Sequence, residues 1–186
     1  MTSNTSLTFS KRAQIGCVAG LVGGFAIFIS IFVIDLGLGA TPGTFYKVVG
    51  LATGMSGLEA TLVGMISHML TASLIGTVFG LGSGIHRKLE VISIKKGAIA
   101  GVTTGIVVFF VFFVPISMIL IIPLIQSNGA AVGEAGELLS NTNLIMTGSI
   151  ELHVVFGIVM GAFFAIAAQQ ESKKLAHTTV EAKTNA

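Results

Sequence analysis

The sequence predicts an all-α membrane protein of four transmembrane helices, arranged as two parallel Gly-rich helical hairpin repeats in a 2+2 pseudo-twofold, with N and C termini cytoplasmic. Three observations carry that expectation: four apolar stretches of spanning length, basic residues confined almost wholly to one side, and small residues recurring every fourth position. Composition sets the frame. Of 186 residues, 53% are hydrophobic and only 10% charged, whereas about a quarter of residues are charged in soluble domains. The mean hydropathy is +0.94. Lipid must therefore be part of the solvent for this chain.

The first element is a polar N-terminal segment, residues 1–12, closed by Lys11 and Arg12. A single transmembrane domain follows over 13–168, with spans at about 13–36, 60–82, 97–125 and 144–168, and then a polar tail over 169–186. Each apolar stretch reaches the roughly 20 residues that cross a hydrocarbon core about 30 Å thick. The first is too long for a signal-peptide core and follows rather than precedes Cys17's basic neighbours, so it is kept as a span. The third contains Pro115 and Pro123, which predict a kink in its outer half and a break near its end, because proline removes a helical donor and crowds the preceding turn. Both terminal segments are expected to be loosely ordered.

Orientation follows from charge. Lys11, Arg12, Arg87, Lys88, Lys95, Lys96, Lys173, Lys174 and Lys183 fall on one side of the predicted membrane and Lys47 alone on the other. The positive-inside rule makes the basic side cytoplasmic. Asp35, Glu59, Glu134, Glu137 and Glu151 lie in or near the opposite side. Of the two outer connections, residues 37–57 are Gly-rich and moderately apolar, suited to a short interfacial or re-entrant helix. Residues 126–143 are polar and acidic, with a short helix expected around Ala131 to Leu139.

Span 1 carries Gly16, Gly20 and Gly24, and span 3 carries Gly97, Gly101 and Gly105, both at intervals of four. Span 2 carries His68, Ala72, Gly76 and Gly80; span 4 carries His153, Gly157, Gly161 and Ala165. Residues four apart share a helix face, so each series is a groove that admits another backbone, the form of contact that holds membrane helices together. These ten glycines are expected to pack helices, within the chain, in a homo-oligomer or against other subunits. The likeness of the two halves marks each as one copy of a hairpin.

Polar residues at membrane depth are costly and mark candidate sites. His68 and His153 head their stripes in the outer half, and Glu151 sits several residues inside the fourth apolar stretch. These three form the candidate polar intramembrane site. Neutral imidazoles in structural hydrogen bonds are the plainest reading, with proton or ion handling and metal binding as alternatives. Metal is the least favoured, since a closed site takes about four ligands and only His68 and His153 offer themselves. Gly80, Gly82 and Gly84 lack the context of a phosphate loop and read as a helix end. Cys17 is single, so no internal disulfide forms. No residue is paired with a recognisable catalytic base, and no cofactor motif or nucleic-acid-binding pattern occurs.

The leading functional expectation is a non-enzymatic, helix-packing accessory subunit of a membrane complex, one setting being a membrane oxidoreductase such as ammonia monooxygenase. The alternatives are a small channel or transporter with its polar site at His68, His153 and Glu151, and a membrane metal-binding protein. The lipid bilayer is the partner common to all three.

Overall fold

The computed structural model describes residues 7–91, 93–127 and 141–184. Among those residues the only regular elements are helices, and four of them are long and apolar enough to cross a membrane. Helix α1 spans Phe9–Gly37, α2 Thr44–Leu51 and α3 Gly57–Gly82. Helix α4 runs over Ile94–Ser127 and α5 over Thr142–Thr184. The expected helix at Ala131 to Leu139 lies outside the described residues.

Two of the long helices start at a side-chain cap. The Thr8 hydroxyl accepts from the Lys11 N–H at the head of α1, and Ser93 does the same for Lys96 at the head of α4. Such caps satisfy donors that have no partner inside the helix. At the head of α3, Glu59 is exposed in the first turn, where its charge suits the positive end of the helix dipole.

The closely packed pairs are α1 with α3, α4 with α5, α1 with α5, and α2 with α3. In lateral order the long helices therefore run α3, α1, α5, α4, and α3 is not closely packed against α4. Glycine decides the two tightest seams. A Cβ built on Gly16 would collide with the Gly76 carbonyl, and one on Gly20 with the Ala72 carbonyl. In the other pair, Gly97 meets the Gly161 carbonyl, Gly101 that of Gly157 and Gly105 that of His153. Backbones this close exclude any side chain, and dispersion contacts between them replace the hydrophobic drive that lipid removes. Gly23, outside the stripes of four, admits Phe156 and Met160 of α5 and so joins the two pairs.

The connection after α1 forms α2, which lies on α3: Gly64 sits under the Tyr46 carbonyl and Gly50 under that of Ala60. Asp35, near the end of α1, is buried at 8% exposure. Its Oδ2 accepts from the N–H groups of Gly43 at 2.8 Å and Thr44 at 3.2 Å. The reason is local. Gly43, at φ +91°, takes the left-handed turn that starts α2 but has no side chain to cap it, so a carboxylate from α1 supplies the acceptor.

Two expectations about helix ends are corrected. Helix α4 does not break at Pro123 but continues to Ser127. Each proline is instead preceded by a π-helical stretch, Phe109–Phe113 before Pro115 and Ser117–Ile121 before Pro123. Widening the turn to a five-residue hydrogen bond relieves the clash between the proline ring and the preceding turn while keeping other backbone groups paired. The tail is not loose either, because α5 runs on to Thr184. Its residues beyond Ala168 include Gln, Glu, Lys, Leu and Ala, good helix formers, and neither Gly nor Pro.

At the end of the bundle that carries the basic residues, Arg12 is buried at 7% exposure. Its guanidinium donates to the Leu7 carbonyl, to the carbonyl and Oγ of Ser83, and to Glu90 Oε1 at 3.1 Å. Lys11 pairs with Glu171 of α5 at 3.0 Å. The start of α1, the end of α3 and the extension of α5 are thus tied together at one level.

Candidate functional site

The glycine seams close one half of the bundle and leave the other half open. Where the stripes reach their histidines, the helices diverge around a cavity of about 330 Å³. Both His68 of α3 and His153 of α5 line it, with Asp35 also on its wall and apolar side chains over most of the rest. The volume is in the range of small-molecule sites, which are mainly apolar with a few placed polar groups.

Each imidazole is fixed from behind. The His153 Nδ1 lies 2.7 Å from the Ser149 carbonyl one turn earlier. A ring nitrogen facing a carbonyl oxygen must carry the hydrogen, so in the neutral ring Nε2 holds the lone pair. Phe109 and Phe113 pack against this ring with centroids 5.5 and 5.2 Å away. Both phenylalanines belong to the π-helical stretch before Pro115. The proline therefore reaches the site through the turn it loosens.

His68 is held by Tyr46, whose ring meets it edge-on at 5.4 Å. Its Nε2 is buried with no hydrogen-bond partner, as is the Tyr46 hydroxyl. Buried polar atoms without partners are uncommon in folded proteins and call for an explanation. Tyr46 is itself fully buried, among Phe28, Phe32 and Phe45.

Of the three residues grouped by sequence, two meet at the cavity and one does not. Glu151 is exposed and does not line the cavity, as its two-residue offset from His153 places it on another face. Among the described residues, no three His, Cys, Asp or Glu side chains come together as a metal site would need. Cys17 meets Ser73 across the α1–α3 seam at 3.1 Å. Sequence reasoning missed Tyr46, Gly23 and Gly64. Tyr46 carried one signal, as the sole tyrosine of a chain without tryptophan; Gly64 extends the His68 stripe by one interval of four, whereas Gly23 lies outside the stripes.

The ten stripe glycines are spent inside the chain. Gly16, Gly20, Gly24, Gly76 and Gly80 lie in the α1–α3 seam, and Gly97, Gly101, Gly105, Gly157 and Gly161 in the α4–α5 seam. What remains outward is Leu, Ile, Val and Phe. The chain matches no protein-family model, no curated protein and no solved structure.

Proposed function

We propose that this chain is a multi-pass protein of the cell membrane, with both termini cytoplasmic, whose outer half is a binding chamber for a small molecule held at membrane depth. The observation that carries this reading is the convergence of His68 and His153 on one cavity of about 330 Å³. Two histidines placed by separate helix pairs are costly in an apolar setting, and helix packing alone does not call for them.

The orientation rests on the basic residues, all but Lys47 on the side that carries Arg12 and its partners. A duplicated hairpin accounts for the layout. In each antiparallel pair the small residues meet in one register, and in each a histidine stands one turn beyond the paired Ala72 or Gly157. The two halves then contribute one imidazole apiece to a site between them, as in repeat-built transporters. The protein holds or passes its ligand and performs no covalent chemistry of its own.

A subunit role draws less support, since the glycine stripes that would dock a partner are occupied within the chain. A partner would have to use the outward Leu, Ile and Val faces.

Photolabelling tests the chamber. In proteoliposomes, an apolar aryl diazirine is expected to label α5 at Ser149, Leu152 or His153 in addition to its lipid-facing residues. Filling the chamber with Ile75→Phe or Thr71→Leu should remove that inner label and spare the outer one. Labelling confined to lipid-facing positions would overturn the proposal.

A further inference from the structure

The chamber has an entrance, and its position says where a ligand comes from. Helices α3 and α4 flank it without packing closely on one another. The lining residues on that side, Thr71 of α3 with Phe112 and Ile116 of α4, are exposed on the outside of the bundle. This opening lies along the length of spanning helices, so it faces acyl chains rather than water. The other end is shut by the glycine seams. A ligand entering here must be soluble in lipid.

Its polar group is specified by His153. With Nδ1 committed to the Ser149 carbonyl, neutral His153 offers Nε2 as an acceptor. His68 lines the same chamber, with its own Nε2 shielded from it. The His153 lone pair calls for a donor. A ligand that only accepts, such as an ester, an ether or a quinone, would meet lone pairs with lone pairs. Charged donors are disfavoured by a wall that is nearly all apolar.

The body of the ligand is specified by the wall. Phe45, Phe112, Phe113 and Phe156 line the chamber, and aromatic rings receive a flat ring by stacking or edge contact. We infer that the chamber binds a lipid-soluble phenol or quinol, entering from the bilayer between α3 and α4 and donating its hydroxyl hydrogen to Nε2 of His153. This inference rests on the chamber proposed above and adds the chemistry of its occupant.

The test is competition against the same diazirine label, with 2,6-diisopropylphenol and its methyl ether as probes. The two share shape and apolar area and differ in the donor. The phenol is expected to displace the inner label at concentrations about tenfold lower than the ether. In His153→Phe that preference should fall toward unity. Retained lipid-facing labelling reports that the variant is folded and inserted. Equal competition by phenol and ether in the parent chain, or no competition by either, would overturn the inference while leaving the chamber standing. Absence of the inner label from the start would instead remove the chamber.

Discussion

The two halves of the bundle are built from the same helices yet do opposite things. In the half that carries Arg12, glycine carbonyls of one helix sit where side chains of its neighbour would be, at Gly16 and Gly76 and again at Gly101 and Gly157. In the other half the stripe of small residues gives way to His68 and His153, and the helices part around a cavity. The difference is one of side-chain volume at a fixed register. Glycine lets backbones touch, and the histidine side chains one turn beyond Ala72 and Gly157 mark where the seams give way to the cavity. The close-packed half can therefore act as a rigid clamp that holds two imidazoles at a set position in the open half.

The sharpest way to break this comparison is to add volume on each side of it. Gly101→Leu drives a side chain into the Gly157 backbone, which has no flexible atom to yield. The expected cost is about 3 kcal/mol or more, at or above the upper end for overpacking, read as loss of folded protein in a detergent unfolding titration. Gly148→Ala in the open half meets no atom within 4 Å, and it should be neutral or stabilising by up to about 1 kcal/mol, from helix propensity alone. Equal damage from both would mean that the halves do not differ in packing.

The next effect concerns the clamp's polar end. Arg12→Lys keeps the charge but loses the planar fork that spans Ser83 and Glu90. It should destabilise by about 1–3 kcal/mol, the range for leaving buried partners unmet, and the same titration measures it. A lysine variant as stable as the parent would show that charge, not geometry, holds this end.

The smallest effect is in the open half. Burial pushes the Tyr46 phenol above its ordinary value of 10.0, with the Asp35 charge as a second cause. The folded state then holds its proton more tightly than the unfolded one, so stability is complete below pH 10 and falls as pH rises beyond it. Tyr46→Phe removes a hydroxyl that has no partner and should be neutral or stabilising by up to about 1 kcal/mol near neutral pH. The variant should also lose part of the alkaline fall. A loss of stability at neutral pH would show that the hydroxyl is engaged.

Much of this was legible in the chain because membrane solvation is a strong constraint on composition. A run of apolar residues that must satisfy every backbone group internally can only be a helix, so four spans followed from Ala13 to Ala168 with little ambiguity. Spacing of four named the glycine faces. Helix ends were less legible: Gln169 to Thr184 is polar, which says that it leaves the membrane but not that it stops being helical. The prolines of α4 were read as a kink and a break because a π turn has no sequence signature of its own.

What the sequence determined by itself is the class of fold, the faces of small residues and the presence of two histidines at membrane depth, all set by period and by the cost of polarity in lipid. What only the tertiary structure decided is which faces meet. Gly16 could have packed on Gly76 or on a foreign helix with the same local preference, and Glu151 lies as near His153 in sequence as any partner could. Only the lateral order α3, α1, α5, α4 brings His68 and His153 to one cavity and leaves Glu151 outside. Small-residue stripes specify close approach but carry no address, and the address comes from the assembled packing of the whole bundle.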